Sequence, residues 1–390
     1  MSAERAAIPY AGSTVIGLDA AHFAAIQRTA RLLFALAHAP RHQAAIAPFA
    51  DEVARHAPGN FGVFMGYDFH VTPAGPRLIE INTNAGGALL NGLHTASLCD
   101  PEKLACLCSR LLSVSDIESE IASTFRDEFA AVRGAGAKLA RIAIVDDAPA
   151  QQFLAPEFAL FRALFARAGI DARIADTREL AHTPGRGVAL GDWPVDLVYL
   201  RDTDFQLASE RTRALRAAYL ANEVVVTPSP REHFLLADKR RLATFSSPNN
   251  LTALGMSEDD ARFLAEVVPE TRLLAELDLE RAWAERASWV FKPAAAFGSR
   301  AVYRGDKISR KKFAEIAAEP GYVAQRFAQP GLVQVETTDG PRDMKFDVRA
   351  YAYRDRVLML GARVYEGQVT NLRSPGGGFS GICVARNSGC

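Results

Sequence analysis

The stretch Tyr67–Leu90, YDFHVTPAGPRLIEINTNAGGALL, constrains this chain more than any other. FHV and RLIEI carry strand-type residues, and Pro73, Gly75 and Pro76 fill the turn between them, so the segment reads as a β-hairpin. Glu80 and Asn82 are two apart and share one face of a strand. Pairing about the turn centre sets Asp68 opposite or next to Glu80. Facing carboxylates destabilise a hairpin, and a hard cation between them reverses that sign. Asp, Glu and an Asn carbonyl are oxygen ligands that Mg²⁺ accepts, with phosphate oxygens and water completing the shell. Asp68, Glu80 and Asn82 are therefore the candidate metal ligands. The alternative is a solvated edge hairpin whose polar residues are unrelated.

At 390 residues the chain exceeds one typical domain of roughly 100–200 residues. Forty-five basic residues balance forty-five acidic ones, which argues against bulk binding to nucleic acid or to an anionic membrane. No apolar run reaches the roughly 18 residues of a membrane span. The N-terminus lacks the basic-then-apolar pattern of a secretory signal. Cys99, Cys106, Cys108, Cys383 and Cys390 match no metal spacing and are odd in number, so reduced thiols in a cytoplasmic protein are expected.

Residues 20–58 have helical periodicity, the hairpin follows, and 95–135 is helical again. From Arg141, short apolar runs (RIAIVDD, IDARIAD, VDLVYLRD, VVVTPSP) alternate with helical segments, the pattern of a small parallel α/β domain over 140–232. A lysine-bearing helix (LLADKRRLATFSS) opens a lid-type α+β segment, 233–330, that includes the strands SWVFKP and GYVAQRF. The tail reads as antiparallel strands. With residues 1–139 it would form the remaining core, 1–139 plus 331–390.

Lys292 ends a strand directly before a turn holding Gly298 and Ser299. A lysine there can reach phosphate oxygens while loop N–H groups contact others; the alternative is a solvated strand end. Gln325 and Arg326 close an apolar strand and suit an adenine-facing hinge or an ordinary strand end. In the tail, Asp347 and Arg349 share a strand face, Arg363 lies on the next strand, and Asn371, Arg373 and Gly376–Gly378 follow. Convergent guanidinium groups suit carboxylates and phosphates, and glycine permits close backbone approach to a ligand. Surface ion pairs are the alternative. Tyr199, Arg201 and Asp202 end a parallel strand, where ligands of open α/β sheets bind. Arg201 could hold a carboxylate or pair with Asp202 or Asp204. His70 and His94 are read as structural.

Together these segments resemble the ATP-grasp superfamily in circularly permuted form. KFDVRAYAYRDRVLMLGARVYEGQVTNLRSPGGG matches its "D-R" through "T-N" and "G-G" strands, and YDFHVTPAGPRLIEINTNAGG matches its metal hairpin, here near the N-terminus. That order resembles eukaryotic-type glutathione synthetase, as do VYLRD, ADKRR, FKPAAAFGSRAVY and LRSPGGGFSGICVA, so the likeness spans most of the chain from about residue 60. It implies Mg²⁺ ligation by Asp68, Glu80 and Asn82. It implies ATP contacts from Lys239 and Lys292 and from the loop with Gly298 and Ser299, with adenine held at Gln325, Arg326 and Phe327. Arg349, Arg363, Asn371 and Arg373 would face the phosphoryl group or a substrate carboxylate. The chain departs from that family at Ala296, where a glutamate is expected, and at Gly66, where an arginine is expected.

The resemblance implies an α+β / α/β chain with a permuted ATP-grasp fold, an inserted parallel α/β substrate domain and a lid. The implied activity is an ATP- and Mg²⁺-dependent carboxylate–amine ligase acting on small molecules. A small-molecule kinase or a non-catalytic nucleotide-binding relative are the alternatives. A homodimer is the commonest assembly for such an enzyme.

Overall fold

The hairpin forms, but its position within a larger sheet gives it its meaning. In the computed structural model, residues 10–98, 114–294, 301–337, 340–367, 372 and 375–385 are described. The chain is mixed α/β. Strand β1 (Ala11–Asp19) leads into the helix Ala20–Ala37, which Asp19 caps by accepting the Ala21 N–H at 2.6 Å. That helix buries Ile26, Ala30, Leu33 and Ala37, an i, i+4, i+7, i+11 stripe facing the core. The hairpin strands are β2 (Met65–Thr72) and β3 (Gly75–Asn82). Their turn is only Pro73–Ala74, and Gly75 takes φ of 104°, which glycine adopts without strain. Pro76, expected in the turn, lies inside β3.

The middle stretch holds β4 (Arg141–Asp146), β5 (Asp171–Asp176), β6 (Leu180–Thr183), β7 (Gly187–Leu190), β8 (Trp193–Val195), β9 (Leu197–Leu200) and β10 (Val225–Thr227). Four of these make a sheet in the order β10-β9-β4-β5 with every pair parallel. β4, β9 and β10 are buried nearly throughout, which is why they read as continuous apolar runs, whereas the edge strand β5 alternates buried and exposed residues. The small antiparallel sheet β6-β7-β8 has no counterpart in the sequence reading.

Next come β11 (Thr271–Leu273), β12 (Trp289–Pro293), β13 (Tyr303–Arg304) and β14 (Tyr322–Arg326), an antiparallel sheet in the order β11-β14-β12-β13 backed by the helix Arg310–Ala318. The expected lysine-bearing helix is broken. A π-helical turn, His233–Ala237, and the helix Arg241–Phe245 flank Lys239, which sits on the turn between them. The Asp238 carboxylate accepts the Arg240 N–H at 3.0 Å, a local bond that competes with helix continuation.

The last strands are β15 (Gly331–Thr337), β16 (Gly340–Tyr353), β17 (Arg356–Tyr365) and β18 (Gly378–Ala385). They join the hairpin in a seven-stranded sheet ordered β1-β18-β17-β16-β2-β3, with β15 on β16. The antiparallel tail is as expected, whereas β1, parallel to β18, was not read from the sequence. Buried Glu128 ties this sheet to the parallel one: it accepts from the Phe61 and Gly62 N–H groups and from the Thr227 hydroxyl.

Cys383 is disulfide-bonded, which corrects the expectation of five reduced thiols; the other four cysteines lie outside the described residues. No described helix is long and apolar enough to cross a membrane.

Candidate functional site

The register of the large sheet assembles one charged face. Asp68 on β2 lies opposite Glu80 on β3 and opposite Arg349 on β16, and Asp347 on β16 lies opposite Arg363 on β17. Asp68 is fully buried and accepts four bonds: Arg349 Nε at 2.6 Å, Arg349 Nη2 at 2.7 Å, Arg363 Nη2 at 2.7 Å and Asn82 Nδ2 at 3.0 Å. Arg363 Nε donates to Asp347 at 2.6 Å. Burial pushes the Asp68 carboxyl up, but the two guanidinium groups outweigh it and hold the pKa at about 2.

Three of these bonds fall on Asp68 Oδ2 and one on Oδ1, so both oxygens are engaged by protein donors. Asp68 is thus held by two arginines in addition to Asn82. Glu80 and Asn82 fit a hard cation better. Asn82 points its amide N–H₂ at Asp68 and at Glu80 Oε1 (3.1 Å), so its carbonyl oxygen and Glu80 Oε2 accept no hydrogen bond among the described residues, beside a cavity that both residues line. Among the described residues no cluster of three His, Cys, Asp or Glu side chains could cage a metal. Two protein oxygens completed by phosphate and water are what Mg²⁺ takes at nucleotide sites.

That cavity, about 490 Å³, is also lined by Lys239, Lys292, Gln325 and Phe327. A β-bulge after Asp68 leaves Ile79 unpaired in the hairpin ladder, and the Ile79 carbonyl accepts Lys292 Nζ at 2.8 Å. Lys292 Nζ also donates to Gln325 Oε1 at 2.6 Å, while Gln325 Nε2 is buried with no partner. Such an orphaned donor beside a cavity is a ready contact for a heteroaromatic acceptor. Burial pulls the Lys292 pKa down to about 8 despite nearby Glu80. Arg326 also lines the cavity, but it is tied to Glu270 and Glu285, each at 3.2 Å, and lies over Trp289. His70 binds the Ala328 carbonyl at 2.8 Å and so fixes the hinge against the hairpin. Gly298, Ser299, Asn371 and Arg373 lie outside the described residues.

A second cavity, about 580 Å³, adjoins the first, and Arg349, Arg363, Asn84 and Thr203 line both. Its far end is the C-terminal edge of the parallel sheet, at Asp146 and Arg201. Arg201 does not pair with Asp202 or Asp204. Asp202 accepts Arg211 Nε and Nη2 at 2.8 and 2.9 Å, and Asp204 accepts from Ser209 and Thr212. Arg201 instead donates to the Tyr199 hydroxyl at 3.0 Å, and its buried Nε has no partner. Asp146 accepts the Asp147 N–H at 2.7 Å, and burial pushes its carboxyl up to about 6. Sequence reasoning missed Asp146, although its place at the end of an apolar parallel strand was a usable signal.

Gly86 forms part of the wall. A Cβ there would meet Leu154 Cδ1 at 2.2 Å. Gly86→Ala is expected to cost about 1–3 kcal/mol through overpacking, read as a lowered midpoint in urea with an unchanged m-value. A larger hollow, about 780 Å³, lies elsewhere, and its charged rim pairs internally or with neighbours (Arg356 with Glu120, Arg28 with Asp260).

No family model matches the chain, and no curated protein matches it in sequence. Solved structures do. A glutathione synthetase-like effector (GSS30) from Globodera pallida, in its apo form, superposes with a TM-score of 0.57 at 11% identity, over 95% of this chain and 89% of that one. A putative γ-glutamylcysteine synthetase from Methylobacillus flagellatus KT gives 0.49 at 12% identity over 90% and 86%. The ATP-grasp ligase PsnB, complexed with its precursor peptide and AMPPNP, gives 0.33 at 15% identity over 63% and 88%. In fold, the chain is similar to the glutathione synthetase-like effector.

Proposed function

We propose that the protein is an ATP-dependent ligase that joins a small carboxylic acid to an amine. The observation that carries this reading is the meeting of two cavities at Arg349 and Arg363. Among the described residues, one has a buried lysine and an unsatisfied amide donor, and the other has an arginine whose buried Nε lacks a partner and a buried carboxyl. A kinase needs only an acceptor hydroxyl in the second cavity, whereas Arg201 and Asp146 suit a substrate bearing both a carboxylate and an ammonium group.

In this reading a substrate carboxylate oxygen attacks the γ-phosphorus of ATP and the bond to ADP breaks. The resulting acyl phosphate then loses phosphate to an amine nitrogen, which sheds its proton as the amide forms. A free carboxylate is a poor electrophile until one of its oxygens leaves as phosphate, which is the chemical reason ATP is consumed. Arg349 and Arg363, at the junction, stabilise negative charge on the transferring group. Lys292 and Lys239 hold phosphates, and Gln325 with Phe327 holds the base. Glu80 and Asn82 would hold Mg²⁺, which supplies charge neutralisation along the phosphates. Positioning and electrostatics suffice, so no side-chain nucleophile is required. We assign the core to 1–139 plus 331–390, the substrate domain to 140–232 and the lid to 233–330. The metal hairpin preceding the lid in sequence is the permuted order.

The test is an ATP-turnover screen with Mg²⁺ and pooled amino acids, short peptides, polyamines and carboxylic acids, read by chromatography and mass spectrometry. ADP, phosphate and a mass equal to acid plus amine minus water are expected. A product heavier by one phosphoryl group would establish a kinase instead. AMP with pyrophosphate would contradict the acyl-phosphate route.

A further inference from the structure

We propose that Asp68 is a positioning residue for an oxyanion clamp and not a metal ligand: it locks Arg349 and Arg363 into one rigid guanidinium pair at the junction of the two cavities. The inference rests on the ligase reading only for what the clamp acts upon; the clamp itself stands on geometry.

Three observations carry it. Asp68 is bound edge-on by Arg349, through Nε and Nη2, and by Arg363 through Nη2, so one carboxylate fixes the plane of Arg349 and ties Arg363 to it. Asp347 takes the Nε of that same edge of Arg363, so two carboxylates share it and hold its plane. A guanidinium has five N–H donors, so both arginines keep donors beyond those the carboxylates use, and both side chains line both cavities.

The backbone accommodates this arrangement at Gly66, on the same face as Asp68 one pleat away. A Cβ at Gly66 would meet Ala85 Cβ at 2.7 Å and Arg349 Cδ and Nε at 3.4 Å each, so the arginine stem lies across a position where a side chain would displace it. Charge supplies the reason for the pairing. Two adjacent buried guanidinium groups repel, and Asp68 and Asp347 bring the quartet with Arg349 and Arg363 to neutrality. An arriving tetrahedral oxyanion then finds preorganised donors without side-chain reorganisation. Its ligand class is an oxyanion bearing several terminal oxygens, inorganic phosphate or the phosphoryl end of an acyl phosphate.

Two binding experiments test this on Asp68→Asn, Arg349→Lys and Glu80→Gln, each checked for a cooperative melt. One follows inorganic phosphate by ³¹P NMR without nucleotide; the other follows the Mg²⁺ midpoint for AMPPNP binding by calorimetry. Asp68→Asn and Arg349→Lys are expected to weaken phosphate by about tenfold or more, the scale of a lost charge-assisted bond, while the Mg²⁺ midpoint stays within about twofold. Glu80→Gln is expected to do the reverse. Arg349→Lys keeps the charge and Asp68 intact, so it carries the test if Asp68→Asn does not fold. A raised Mg²⁺ midpoint in Asp68→Asn would make Asp68 a metal ligand and overturn the proposal. Unchanged phosphate affinity in the variants, or no phosphate binding by the parent, would overturn it too. A parent that binds phosphate but not Mg·AMPPNP would sink the ATP reading while the clamp stands.

Discussion

Glu80→Ala abolishes ADP formation while the protein still melts cooperatively: that is the expected result with the largest effect on activity. The contrast with Asp68 explains both halves of it. Glu80 is half-buried and makes one described hydrogen bond, from Asn82, with no ion pair in the described residues. Its loss breaks no ion pair among the described residues but removes a negative charge that favours the buried Lys292 ammonium, so the stability cost is about 0.5–3 kcal/mol. Removing Asp68 leaves two buried guanidinium groups without their shared carboxylate, a change that costs about 3–5 kcal/mol. For activity the order reverses. In the proposed reading Glu80 supplies the one hairpin carboxylate oxygen left unengaged at the first cavity among the described residues, and without it the charge of the triphosphate is offset only by the side chains of Lys292, Lys239, Arg349 and Arg363. A metal's contribution of several kcal/mol to charge stabilisation corresponds to a rate loss on the order of a thousandfold. The check is ADP release against Mg²⁺ concentration. Turnover at the parent's rate in Glu80→Ala would remove the hairpin from the metal's coordination altogether.

The same comparison marks how far the sequence could be read. Asp68 facing Glu80 was legible because strand side chains repeat every two residues and the turn fixes the register. The partners of Asp68 were not. Arg349 lies 281 positions away, and the strand order that makes β16 the neighbour of β2 cannot be derived from either strand's own pattern. Two facing carboxylates therefore suggested a cation, and the positive charge that the structure sets beside Asp68 is that of two arginines. The bulge at Ile79 was equally hidden, since RLIEI alternates like any regular strand, yet it supplies the carbonyl that holds Lys292. The α/β segment was plain in its apolar runs, but Asp146 and Arg201 become one site only because β4 and β9 are adjacent and parallel. The strand Ala11–Asp19 gains its partner only from β18, at the other end of the chain.

Lys292→Met gives the second large effect, and pH separates its causes. Burial brings the Lys292 pKa from 10.5 to about 8 in the folded protein. Below pH 8 the lysine is charged in both folded and unfolded chains, and the cost of burying the ammonium is fully present. Between about pH 8 and 10.5 the unfolded chain holds a proton that the folded protein has released, so this group makes stability rise with pH. Methionine removes the buried charge but leaves the Ile79 carbonyl and Gln325 Oε1 without their donor, at about 1–3 kcal/mol each. These terms are of similar size near neutrality. The melting temperature of the variant should therefore lie close to the parent's at pH 7 and fall below it by pH 9.5, as the parent gains and the variant does not. Nucleotide binding runs the other way. Phosphates stabilise the ammonium form, so the parent must take up a proton to bind AMPPNP above pH 8, and its affinity declines as pH rises through that value. Losing a buried ammonium beside a phosphate costs Lys292→Met about a hundredfold in affinity at pH 7, and the gap to the parent should narrow by pH 9.5. Calorimetry in buffers of different ionisation enthalpy reads the proton directly: uptake at pH 8.5 in the parent, none in Lys292→Met. Equal uptake in both would place the titrating group elsewhere and take Lys292 out of the phosphate site.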